Sequence, residues 1–129
     1  PRNIKIRIMK RKQLRQRIHD KYNGKCAYCG CDIEIKDMQI DHIFPKRRVV
    51  YTDFEISKLD EEDNLNPACR ECNYYKSDFL IEEFRKQMHT LHERVMKPFI
   101  ARLSVKYEIF EYKEWDGKFY FEKIENENK

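Results

Sequence analysis

Cys26-Ala27-Tyr28-Cys29 and, after 39 intervening residues, Cys69-Arg70-Glu71-Cys72 decide how the rest of the sequence is read. A two-residue gap lets both thiolates of a pair reach one ion about 2.3 Å away, and two such pairs complete a tetrahedron. One Cys-x-x-Cys is a weak signal; two in one chain predict a structural Zn²⁺ held by Cys26, Cys29, Cys69 and Cys72. A redox motif normally sits alone at a helix start, and an odd total of five cysteines argues against paired disulfides. Cys31 is the spare thiol and is assigned no role. The long insertion between the knuckles is expected to be folded.

The chain has 129 residues, the size of one domain, and its 39% charged residues leave a modest core that gains from a metal staple. Neither a membrane-spanning apolar run nor a secretory signal is seen, which points to the reducing cytosol. The net charge of +4 is unevenly spread, since residues 1–25 carry ten Lys/Arg against the single acid Asp20. A basic arm of this kind suits a polyanion, most simply nucleic acid. The competing reading is a solvated helix face.

Outward from the knuckles, Leu14, Ile18 and Tyr22 share one face of a predicted helix over 10–23, stopped by Gly24. Loose alternation from Asp32 to Phe44 predicts two short strands turning near Lys36 and Asp37, with Pro45 ending the second. A helix is expected to begin at Cys69–Cys72. Ile81, Phe84, Met88, Leu91 and Val95 predict a further helix of four turns, which Pro98 breaks or follows with another. Near the end, YEIFEY and KFYFEKI flank Asp116-Gly117, which predicts a C-terminal β-hairpin.

Between the knuckles stands Ile40-Asp41-His42-Ile43-Phe44-Pro45, and around the second stand Asn64-Leu65 and Cys72-Asn73-Tyr74-Tyr75-Lys76. Taken together, Asp-His-Ile-x-Pro, Asn-Leu and Cys-x-x-Cys-Asn-x-x-Lys resemble the zinc-bearing HNH endonucleases over residues 20–80. The chemistry asks for the same residue types. Phosphodiester hydrolysis needs a base for water, which a neutral imidazole supplies near neutral pH. It also needs a cation for the transition state, and hard oxygen ligands suit Mg²⁺ or Mn²⁺.

The resemblance implies that His42 is the general base, Asp41 a ligand of the catalytic ion, and Asn64 the brace of the loop. Asn73 stands where the last histidine usually falls, so the chain is an HNN variant whose amide would join Asp41 on the ion. Lys76 is expected to touch a phosphate. Arg11 and Arg15 in the arm, and Arg47, Arg48 and Tyr51 after the motif, are candidate DNA contacts. Residues 46–60 depart from the family in being long and free of glycine.

The expectation is a single α+β domain with a zinc-stapled ββα-metal core. Residues 1–25 form the basic arm and helix, 26–79 the catalytic core, and 80–129 a helical and hairpin extension. It is expected to cut DNA as a monomer, and the resemblance to small phage-like members makes phage packaging machinery a candidate partner. The rival is a non-catalytic zinc module that binds nucleic acid or protein. That rival accounts for the cysteines and the arm, but leaves Asp41, His42, Asn64 and Asn73 unexplained.

Overall fold

The computed structural model describes residues 2–51 and 56–127. Helix α1 (Arg2–Asp20) begins well before the predicted start, so most of the basic arm is helical. Its early apolar side chains Ile4, Ile6, Ile8 and Met9 stay exposed, and burial starts only with half-buried Leu14 and fully buried Ile18. The helix stops at Asp20, where Asn23 turns left-handed (φ 54°) and the Gly24 amide donates to His19 O at 2.9 Å.

The predicted pair of strands within 32–44 is a correction. Residues Ile35–Asp37 form a 3-10 turn, and a single strand follows, β1 (Gln39–His42). Arg15 of α1 explains the turn, because its Nη2 donates to Ile35 O at 2.8 Å and to Met38 O at 2.9 Å. Those carbonyls have no strand partner to need. The partner of β1 is instead β2 (Leu65–Ala68), antiparallel, with Asp41 opposite Asn66 and His42 opposite Leu65. The two-stranded finger is therefore closed by the long insertion rather than by a local turn.

Strand β2 is buried along its whole length, Pro67 included. Its groups facing away from β1 are all engaged. Leu65 N–H donates to Glu62 O, Leu65 O accepts from Lys21 Nζ at 2.9 Å, and Pro67 O accepts from the Ala27 amide at 2.9 Å. The last of these seats the first cysteine knuckle on the sheet. Helix α2 (Arg70–Lys76) then starts with Cys69 as its N-cap, whose sulfur accepts from Cys72 N at 3.4 Å.

The chain divides into two compact units, Pro1–Leu80 with Phe119–Lys129, and Ile81–Lys118. In the second unit the predicted four-turn helix is broken into α3 (Ile81–His89) and α4 (Leu91–Met96) at Thr90. The Thr90 hydroxyl bonds back to Gln87 O at 2.6 Å, the local competition that makes threonine a poor helix interior residue. Of the five apolar positions on that face only Phe84 is buried. Pro98 caps α5 (Phe99–Lys106), and residues 107–118 are irregular.

The expected C-terminal hairpin is the second correction. Asp116-Gly117 does turn, with Asp116 Oδ1 accepting from Lys118 N at 3.0 Å and Gly117 at φ 81°. The turn leads into helix α6 (Tyr120–Glu127) rather than a strand. Glu122 reaches back to the Phe119 amide at 3.0 Å, half of a capping box, and so starts a helix. The alternating aromatics Phe119 and Phe121 pack on Tyr28 (centroids 5.6 and 6.2 Å) in place of cross-strand neighbours. No helix among the described residues is long and apolar enough to cross a membrane.

Candidate active site

Cys26, Cys29, Cys69 and Cys72 come together with their sulfurs all within 4.8 Å of one another. A tetrahedron of thiolates around Zn²⁺ has edges of about 3.8 Å at the usual bond length. The Cys29–Cys69 sulfur separation is 3.8 Å. The Cys72 thiol's hydrogen bond draws Cys26 down to about 4, and the same contact pushes Cys72 up. Four sulfurs this close cannot all ionise without a cation among them, and the donor set fits zinc. Cys31 is exposed, and loss of solvation pushes its thiol up to about 12.

The second half of the site grows from the end of β1. The strand keeps its register with β2 through His42 and ends there without a bulge. Asp41, His42 and Asn73 line one open cleft of ≈ 290 Å³, together with Pro45, Lys46 and Arg47. Asn73 arrives on α2, whose first turn the second knuckle fixes.

Asn64 sits in the 3-10 turn Glu62–Asn64 and is buried. Its Oδ1 accepts from Phe44 N at 2.7 Å, while its Nδ2 donates to Phe44 O at 3.2 Å and Leu59 O at 2.8 Å. One side chain thus ties the segment after His42 to the end of the insertion. Its three bonds meet the amide's needs on both sides.

Asp41 is 5% exposed, and Lys76 is fully buried beside it. The Lys76 ammonium lies 3.1 Å from Asp41 Oδ2 and donates to His42 O at 3.0 Å. The side chain expected to touch a phosphate is thus placed against Asp41, which provides the fixed counter-charge a buried ammonium needs. Burial pushes the Asp41 carboxyl up, while Lys76 and the Tyr28 hydroxyl pull it down.

Three contributors were not picked out from the sequence. Tyr28, inside the first knuckle, gives its hydroxyl to Asp41 Oδ2. Asp60 holds His42 Nε2 at 2.8 Å, and that bond keeps Asp60 below the ordinary carboxylate range. Asn66 faces Asp41 across the sheet with its amide buried and without a partner among the described residues. Only the Tyr-in-knuckle position offered any signal, since Asp60 and Asn66 lie in stretches of unremarkable polarity.

The candidate DNA contacts separate into kinds. Arg11 is exposed on α1 and Arg47 is exposed at the cleft. Arg15 is occupied by two carbonyls of the fold, and Arg48 is half-buried with Nη1 3.5 Å from Asp78 O. The side chain of Tyr51 lies outside the described residues.

The family model for HNH endonucleases matches residues 26–79, from the first zinc-type cysteine to just past Lys76. Residues 26–79 therefore resemble an HNH endonuclease domain. The stretch matched to the HNH family contains both knuckles, β1, β2 and α2, and leaves α1 and α6 outside it. A curated relative, the SPbeta prophage-derived protein YoqL of Bacillus subtilis (strain 168), named for the same family, is 37% identical over 75 residues. That stretch covers 54% of this chain and 30% of the relative. Among solved structures, the Type II-C Cas9 enzyme from Actinomyces naeslundii aligns with a TM-score of 0.47 at 21% identity, over 74% of this chain and 12% of that one. So slight a likeness carries no argument about activity.

Proposed function

We propose that this chain is a divalent-metal-dependent endonuclease that hydrolyses DNA phosphodiester bonds, with His42 as general base. The observation that carries the proposal is the convergence of Asp41, His42 and Asn73 on one cleft within a four-cysteine frame. Oxygen donors from Asp41 and Asn73 fit Mg²⁺ or Mn²⁺, which when bound supplies positive charge to the phosphorane-like transition state. With Nε2 donating to Asp60, the His42 ring presents Nδ1 as its free base for a proton of the attacking water. Asn64 fixes the backbone that follows His42 and so keeps the ring from swinging out of the cleft. Lys46 and Arg47 at the rim stand where a phosphate backbone would pass.

Four reduced thiols suit the cytosol, and monomeric action on DNA in a phage setting belongs to the same proposal. A supercoiled-plasmid assay tests it. Cutting with Mg²⁺ or Mn²⁺ that stops in EDTA is the expected result. Binding of DNA without any cutting under all these conditions would leave the non-catalytic zinc module as the better account.

The exposed basic half of α1 is assigned to affinity rather than chemistry. Deleting residues 1–12 removes six Lys/Arg and, with them, the counterion release that phosphate contacts produce. Binding titrations across a range of salt concentrations should give a shallower slope for the shortened chain. An unchanged slope would show that this half of the helix never meets DNA.

A further inference from the structure

Tyr28 belongs to two structures at once. Its backbone is part of the first knuckle, with its amide donating to Cys26 Sγ at 3.4 Å, and its hydroxyl donates to Asp41 Oδ2. The tyrosine lies between two of the cysteines and touches the cleft carboxylate itself, so one side chain links the sulfur cluster to the cleft. Its ring is buried, 4% exposed, and is held edge-on by Phe119 and Phe121.

The segment carrying those rings is pinned to the same knuckle by its backbone. Tyr120 N donates to Tyr28 O at 3.1 Å, and Phe121 N donates to Ala27 O at 2.8 Å. The approach is close enough that a Cβ on Gly30 would stand 2.8 Å from the Tyr120 ring. Residues 119–121 lie outside the stretch matched by the family model, yet they set where the Tyr28 ring can be.

We infer that Tyr28 is a positioning residue for the catalytic ion: its hydroxyl fixes Asp41 Oδ2, and Phe119 and Phe121 buttress the ring that carries it. The inference rests on the assignment of Asp41 as a ligand made above. A carboxylate held by Tyr28 on one oxygen has a fixed plane, so the orientation it offers an ion is set before the ion arrives. Lys76 neutralises the carboxylate but does not fix its plane alone, since its ammonium spans both oxygens at 3.1 and 3.4 Å. Partners of metal-bound carboxylates commonly change metal affinity by about 10–100-fold when removed.

The test is Mn²⁺ binding to the zinc-loaded full chain without DNA, followed by calorimetry or by water-proton relaxation. Tyr28→Phe keeps the ring and its packing and removes only the hydroxyl. It should retain one zinc per chain and bind Mn²⁺ about 10-fold or more weakly. Phe119→Leu keeps the hydroxyl and loosens its support, and should weaken Mn²⁺ binding by a smaller factor. Wild-type affinity in a zinc-replete Tyr28→Phe chain would overturn the inference while leaving the nuclease proposal intact. If the wild-type chain binds no Mn²⁺, the assignment of Asp41 falls and this inference with it. Should Tyr28→Phe lose its zinc, Phe119→Leu decides, and unaltered Mn²⁺ affinity there counts against the buttress.

Discussion

Replacing Cys26 by serine should cut zinc content well below the expected one ion per chain and lower the thermal midpoint by on the order of 10 °C or more. Cys26 is the most enclosed of the four ligands, with no exposed surface. Loss of its thiolate leaves three sulfurs within a site built for four. The free energy of zinc binding in such sites is folding free energy, so the domain loses several kcal/mol with the ion. Helix α2 should suffer first, because Cys69 is its N-cap and Cys72 lies in its first turn. Cys31→Ser is the control and should change neither metal content nor midpoint. Elemental analysis and thermal denaturation of the two variants check this directly; a Cys26→Ser chain that melts like the parent would show that the cluster does not hold the fold.

His42→Ala should reduce cleavage by about 10²–10⁴-fold while DNA binding and folding change little. The side chain is half-buried at the cleft and, among the described residues, its hydrogen bond is to exposed Asp60, so its removal costs the fold little. Asp41→Ala should reduce cleavage at least as much, but for mixed reasons. It leaves the fully buried Lys76 ammonium without its carboxylate, a loss typically worth about 3–5 kcal/mol. Asp41→Asn keeps the shape and is the cleaner probe of the carboxylate. Single-turnover cleavage measured beside thermal stability separates the two causes. Parent-like cutting by His42→Ala would place the base elsewhere.

What could be read from the sequence was whatever depends on short spacing. Two Cys-x-x-Cys knuckles specify their geometry within four residues each, and the Asp41-His42 pair and Asn73 carry recognisable chemistry. What could not be read was set by contacts distant in the chain. The partner of β1 lies beyond a long insertion, and Arg15 closes the Ile35–Asp37 turn from another helix. Local alternation around residue 119 resembled a strand, yet a backward reach by Glu122 and a surface offered by Tyr28 made it a helix start. Lys76 reads from the sequence as a phosphate contact because nothing nearby in sequence announces that Asp41 will be packed against it.

The engaged outer edge of β2 has a consequence for how copies of this chain can meet. A two-stranded sheet ordinarily offers two open ladders, each a template on which a neighbour's strand can assemble. Along Leu65–Ala68 the ladder is capped rung by rung. Glu62, Lys21 and Ala27 take the outward groups, and Pro67 has no amide to offer. A third strand could add there only by first stripping the cysteine knuckle and Lys21, just past α1, from the sheet. Polymerisation through this edge is thereby linked to loss of the metal frame, so fibril-type assembly should appear in chelator-treated protein and not in zinc-replete protein.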